Sequence, residues 1–402
     1  MKEHVVEPSV RRRPRTAGRA AWLRCWPWLI GCAGLCLAAP LYAANTTATQ
    51  AERIYSRIAG VPAPAAVLAQ MTQTDPLSAA LLATQDPAFY DDTLRNMAMP
   101  WTNRAQTVFA PLNDYVATVI GMVRDDVPFN TLLSADLVYV ADPSLGLPAY
   151  SNSNNDMYQA LDDQGVDLKA HLVAVPQSSV NGLPPSATAG VLTSRAAAAA
   201  FFEKGTNRAM FRFTMMNHLC ADLQTIMDTS RPPDRIRQDV TRSPGGDSRL
   251  FLNNCIGCHS GMDPMDQAFA YYNFDDTTQS LVYTPGQVQP KYLINATNFP
   301  QGYVTTDDHW DNRWRSGPNA LLGWSSALPG SGEGAKSLGQ ELGNSQAFAS
   351  CQVTRVFKDV CYRAPSNAAD RTQVAQMISS FQSHNYSLRE VFAEAAVYCM
   401  GN

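Results

Sequence analysis

The segment Asn254-Cys255-Ile256-Gly257-Cys258-His259 specifies a chemistry by residue type and spacing. Two thiols three positions apart reach the two vinyl groups on one edge of a porphyrin. The residue that follows lies where an imidazole meets the iron. C-x-x-C-H is therefore read as the attachment segment of one covalent haem c, with Cys255 and Cys258 as thioether links and His259 as the proximal ligand. A thioredoxin-like redox pair would need a βαβ context, and half a zinc site would need a second close Cys or His pair; the sequence offers neither.

A sixth ligand must approach from the opposite face of the macrocycle, so Met262, three residues beyond His259, is set aside. His309, between Asp308 and Trp310, is ranked first as distal candidate, above His218, Met216 and Met377. Asp263-Pro264 reads as an N-cap with proline at the first helical position, predicting a helix from there to Tyr272. Phe269, Tyr272 and Phe274 are expected either to line the porphyrin or to fill a core. Trp310, Trp314 and Trp324 carry the same pair of readings. Arg242 and Arg249 are candidate partners for propionates, with a solvated surface position as the alternative.

Covalent haem attachment in bacteria follows translocation, and the N-terminus reads as an export signal. Arg11–Arg24 is basic, Cys25–Ala39 is apolar, and small residues at 40–45 place cleavage after Ala43 or Ala44. An uncleaved anchor, or a lipoprotein box at Leu29-Ile30-Gly31-Cys32, are the alternatives. Residues 1–43 hold seven basic side chains (Lys2, Arg11, Arg12, Arg13, Arg15, Arg19, Arg24) and two acidic ones (Glu3, Glu7). Without them 24 basic groups face 33 acidic ones, a net of −9 against −4 for all 402 residues. Such a chain repels phosphate backbones, which disfavours nucleic acid. No apolar run beyond residue 43 reaches the roughly 18–20 residues of a bilayer span, which excludes a polytopic membrane protein. Gly330–Ser337 nearly matches a phosphate-binding loop, but Ala335 replaces the second glycine and no buried strand precedes it, so no nucleotide is expected.

Of nine cysteines, Cys25, Cys32 and Cys36 lie in the signal. With Cys255 and Cys258 assigned to haem, Cys220, Cys351, Cys361 and Cys399 remain. Cys351 and Cys361 are ten positions apart on one predicted helix, about 15 Å and too far to bridge. An up-down-up helical module brings Cys361 level with Cys399, which leaves Cys220–Cys351 by elimination.

The elements that must position the haem segment read as mostly α. The expected organisation is a helical domain at 44–150, a loop-rich connection at 151–205 and a cytochrome-c-like haem region at 206–330. A C-terminal three-helix module at 331–402 closes it. Leu112–Ile120 reads as an amphipathic helix and Asn207–Asp228 as a long one. Ser387 and Glu390 stand at capping-box spacing.

Cys-Ile-Gly-Cys-His-Ser-Gly-Met-Asp-Pro followed by an aromatic-rich stretch resembles C-x-x-C-H-x-x-M-D-P, the mark of a large family of exported bacterial cytochrome-c-like proteins of planctomycete type. Glu52–Tyr55, Asp126–Leu133, Phe348–Phe357 and Tyr386–Glu390 resemble other segments of that family. The resemblance implies haem and export and no particular reaction. The expected function is one-electron transfer by a single-haem cytochrome in the periplasm or cell envelope, serving an unidentified redox partner protein. The alternatives are a haem enzyme or sensor with an open sixth position for peroxide or a diatomic gas, and an envelope scaffold with structural haem.

Overall fold

Short helices and three antiparallel two-stranded ribbons make up the computed structural model, which describes residues 45–401. The segment expected to be an export signal, with Cys25, Cys32 and Cys36, lies outside the described residues. The fold is mostly helical, and among the described residues no helix is long and apolar enough to cross a membrane.

Local signals explain where the helices begin. Ala48–Ala59 starts at a reciprocal capping box between Thr47 and Gln50 and stops at Gly60, whose φ of 76° suits only glycine readily. Its buried stripe, Ala51, Ile54, Tyr55 and Ile58, follows the 3.6-residue period. That stripe packs on Pro76–Ala83 and on the last helix, Leu388–Cys399, so both ends of the described chain share one core. Asp114–Arg124 is capped by Asn113 and buried on all sides from Asp114 to Val123. The amphipathic pattern expected there understated its burial, because the Val138–Ala141 strand covers its far side. Gly121 is required at that contact: a Cβ would fall 2.1 Å from the Tyr139 ring.

The loop-rich middle is tied down by the ribbon between Val138–Ala141 and Leu172–Val175. A second ribbon pairs Tyr272–Asp275 with Ser280–Tyr283, and a third pairs His309–Asp311 with Ser331–Glu333. Two helical expectations need correction. The 207–228 helix is only Arg208–His218, because Cys220 takes a left-handed conformation (φ 53°) and Asp222 folds back onto Arg212. The helix expected to start at Asp263 instead runs Ile256–Asp266 straight through Pro264, and Tyr272 opens a strand. The Asp263 carboxylate is used in tertiary contacts, not as a cap.

At the C-terminus, Gln346–Cys361, Ala368–Ser383 and Leu388–Cys399 form the expected three helices. Ser387 accepts from the Glu390 N–H, but the Glu390 carboxylate turns to His384, 3.4 Å away, so only half of the capping box forms. Cys361 and Cys399 form a disulfide with Cα atoms 5.5 Å apart, and Cys220 and Cys351 form another at 5.3 Å. Both pairings are those read from the sequence.

Closing chain segments of 38 and 131 residues restricts the unfolded ensemble by about 4 and about 5 kcal/mol respectively on the chain-entropy model. Urea unfolding should therefore show the Cys220→Ser/Cys351→Ser double variant losing somewhat more stability than Cys361→Ser/Cys399→Ser. Equal midpoints for either double variant and the parent would contradict this.

Candidate functional site

Cys255 ends a single wide turn, Phe251–Cys255, that runs directly into the Ile256–Asp266 helix, whose first turn carries Cys258 and His259. Both thiols are partly exposed and unpaired, whereas Cys220, Cys351, Cys361 and Cys399 are all consumed in disulfides. Burial pushes the Cys258 thiol up, helped by Asp222 and Cys255 nearby. That is opposite to the depressed value a thiol-exchange nucleophile needs.

The helix is held from three sides. Gly257 O accepts from Asp228 N at 2.9 Å, and Ser260 Oγ donates to Asp228 O at 3.1 Å, strapping the preceding loop to it. Gly261 faces Trp314, whose Nε1 is 2.0 Å from where a Cβ would stand. Trp314 is fully buried and packs on Phe211 of Arg208–His218, with centroids 6.0 Å apart. Trp310 is buried too, its Nε1 donating to Ser337 Oγ at 2.8 Å. These tryptophans fill a core that braces the helix, as do Phe269 and Tyr272, which pack on Phe202 at 5.5 and 5.6 Å.

His259 is oriented by the residue one helical turn ahead. Its Nδ1 lies 3.0 Å from Asp263 Oδ1, and because an ionised carboxylate only accepts, Nδ1 carries the proton and Nε2 is the free donor atom. Asp263 is fully buried. Arg208 grips it with two bonds of 2.8 and 3.0 Å and holds Asp239 with two more of 2.6 and 3.0 Å. Arg237 N adds a longer contact of 3.4 Å to Asp263, while its guanidinium donates to Asp266 at 2.8 Å. Burial alone would raise the Asp263 carboxyl, but Arg208, the hydrogen bond from His259 and the nearby Arg237 hold it well below the usual carboxylate range. Asp266, equally buried but with fewer cations facing it, is pushed up to about 6.

This donor set fits a thioether-linked haem. Two free thiols one turn apart precede an imidazole whose Nδ1 is engaged and whose Nε2 is left for iron. Porphyrin brings four nitrogens of its own, so one protein donor suffices. Among the described residues no group of three or more His, Cys, Asp or Glu side chains is gathered to hold a bare ion. Leu250 and Leu252, just ahead of Cys255, are 47% and 56% exposed, apolar surface that a flat macrocycle would cover. Beyond Arg208 and Asp239 opens a separate cavity of about 350 Å3, also bounded by Arg104, Lys204, Lys291 and Ile294 and lined by no residue of the C-x-x-C-H segment.

The other sequence candidates lie elsewhere. His309 lines a separate cavity of about 560 Å3 with Tyr271, Tyr283, Asp307, Asp308 and Glu333, and its Nε2 is 3.5 Å from Asp311. No residue of the C-x-x-C-H segment lines that cavity. His218 is buried with Nε2 2.6 Å from the Tyr115 hydroxyl, and burial together with Arg355 keeps it well below the usual histidine range, hence neutral. Met262 and Met377 are packed in the core. Exposed Arg249 forks onto Asp247, whereas Arg242 is stacked between Phe251 and Phe299 at 4.9 and 4.3 Å and bonds only backbone carbonyls. Lys336 and Ser337 donate to the carbonyls of Pro185 and Glu333, so the near-match to a phosphate loop is a helix start at Gly334.

Arg208 and Asp239 were missed in the sequence, and Asp263 was taken for a helix cap. A signal for Asp263 was present, since His259 and Asp263 stand at i, i+4 on what proves to be one helix. No family model, curated protein or solved structure matches the chain.

Adding a methyl at Gly261 forces Trp314 or the helix to move, so Gly261→Ala should cost about 1–3 kcal/mol and loosen the turn that carries His259, as read by hydrogen exchange of amides 256–263. An unchanged exchange pattern would contradict the bracing role. In the second cavity, burial, reinforced by Glu333 and Asp307, raises Asp308 from 3.8 to about 6. A carboxyl raised in the folded state binds its proton more tightly there, so its favourable contribution is present at low pH and lost as pH rises through about 6. Asp308→Asn should accordingly raise Tm relative to the parent more at pH 7.5 than at pH 5. The reverse order would contradict this assignment.

Proposed function

We propose that the chain is an exported single-haem c-type protein that transfers one electron at a time, with Cys255 and Cys258 holding the porphyrin and His259 as the proximal ligand. One observation carries the reading. Of the six described cysteines, the two left as thiols are those of the C-x-x-C-H segment, and the histidine beside them is fixed with Nε2 free. When bound, haem supplies a one-electron couple; the chain supplies the tether, the ligand and its orientation. The resemblance to exported cytochrome-c-like proteins supports the same reading, and two disulfides are at home in an oxidising compartment such as the periplasm. Arg242, charged and without a carboxylate partner beside Phe251, is our choice for a propionate contact.

A second reading, an enzyme or sensor with an open sixth position, is favoured by one feature. The two distal histidine candidates are engaged elsewhere, His309 beside Asp311 and His218 on Tyr115. Carriers keep both axial positions filled, whereas peroxide- or gas-binding haems leave one open. The protein should be produced with its signal in a host that attaches haem c. Its dithionite-reduced absorption spectrum is then recorded before and after carbon monoxide, and peroxide is added to the oxidised form. A c-type reduced spectrum unmoved by carbon monoxide, with no response of the oxidised form to peroxide, supports electron transfer; rapid carbon monoxide binding with peroxide turnover transfers the assignment to the enzyme reading. A colourless protein with an intact signal-processed chain refutes both.

A further inference from the structure

We propose that Asp263 and Arg208 set the reduction potential of the site in opposite directions, Asp263 as the positioning residue that strengthens His259 as a ligand and Arg208 as the brake on that effect. The proposal rests on the haem reading above and deepens it.

The hydrogen bond from His259 Nδ1 to Asp263 Oδ1, 3.0 Å long, ends on a full carboxylate charge that is shut off from water. Such a partner draws the Nδ1 proton toward itself and leaves more electron density on Nε2, making the ring a stronger donor. A stronger donor stabilises the more highly charged ferric ion over the ferrous one, which lowers the potential. Burial matters because the effect is electrostatic and a low local dielectric leaves it unscreened.

The same oxygen that meets His259 also meets Arg208 Nε at 2.8 Å, and the second oxygen meets Arg208 Nη2 at 3.0 Å. A guanidinium in this forked geometry withdraws charge from the carboxylate and weakens its pull on the imidazole. Arg208 is itself divided, because Asp239 takes two of its bonds on the other side. The four groups therefore form a line, Asp239–Arg208–Asp263–His259, in which each member limits its neighbour. The line also fixes the ring: the bond from Nδ1 pins the imidazole plane from within the same helix, one turn away.

The test is the midpoint potential of the exported, haem-loaded protein and of two variants, measured by spectroelectrochemistry, with the iron–histidine stretch of the reduced form read by resonance Raman. Asp263→Asn keeps an acceptor for Nδ1 but removes its charge; it should raise the potential by the equivalent of a tenfold or larger change in the oxidised-to-reduced ratio, about 59 mV for one electron, and lower the stretch frequency. Arg208→Gln keeps a donor but removes the positive charge; it should lower the potential and raise the stretch frequency. A residue that merely supports the fold would shift both variants the same way, or neither. Either of those results overturns the proposal while leaving the haem assignment standing. If one variant does not fold, the sign of the other still decides. A parent protein that carries no haem after export refutes the reading on which the proposal stands, and the proposal with it.

Discussion

A fully buried carboxylate is tolerated only where cations and donors meet it from several sides, and Asp263 imposes that condition on everything around it. Arg208 reaches it from the Arg208–His218 helix, Arg237 from the loop that follows, and His259 from one turn back on its own helix. Removing any of these leaves charge without compensation in a place water does not reach. The position of Arg208–His218 relative to Ile256–Asp266 is thus coupled to the orientation of the one imidazole next to the two thiols. Arg208 cannot move without carrying Asp239 as well.

The remainder of the fold serves to keep those two helices at a fixed separation. Trp314 lies between them, touching Phe211 on one and the bare face of Gly261 on the other. Trp314 is held in turn by its neighbours: its carbonyl accepts from Trp324 Nε1 at 2.8 Å, and its N–H donates to Asn312, which is bonded to buried Glu341. The Cys220–Cys351 disulfide ties the segment just after Arg208–His218 to the C-terminal helices, and Gln352 donates to His218 O at 3.1 Å on the same side. Cys361–Cys399 then closes those helices on each other. Both disulfides therefore act on the wall of the site, while Cys255 and Cys258 remain thiols.

The two disulfides were legible in the sequence because helix geometry forbids the i, i+10 pairing of Cys351 with Cys361 and an up-down-up module brings Cys361 level with Cys399. The C-x-x-C-H segment could be read for a chemistry because that chemistry is local, and the structure leaves its two cysteines as thiols. Asp263 was read as a cap because Asp-Pro is a strong local helix-start signal, and its real partners come from residues 208 and 237, distant in sequence. The helix tolerates Pro264 because tertiary contacts on both flanks outweigh the missing backbone bond. Arg208 and Asp239 were illegible for the same reason: nothing near either residue announces that they share a guanidinium bridge. His309 was ranked as a distal candidate from its place between Asp308 and Trp310; in the structure Trp310 is buried in the core and the strand alternation turns His309 to a cavity that no C-x-x-C-H residue lines.

If Cys255 and Cys258 carry a covalent porphyrin as proposed, its thioether links survive conditions that strip non-covalently bound haem. The most direct measurement is the intact mass of the exported protein after acid and denaturant, followed by fragmentation of the peptide containing residues 251–266. The account predicts the processed chain plus one haem, with the added mass localised to Cys255 and Cys258 and the other four cysteines in two disulfides. A denatured chain of bare polypeptide mass, with Cys255 and Cys258 free or bonded to each other, would contradict it.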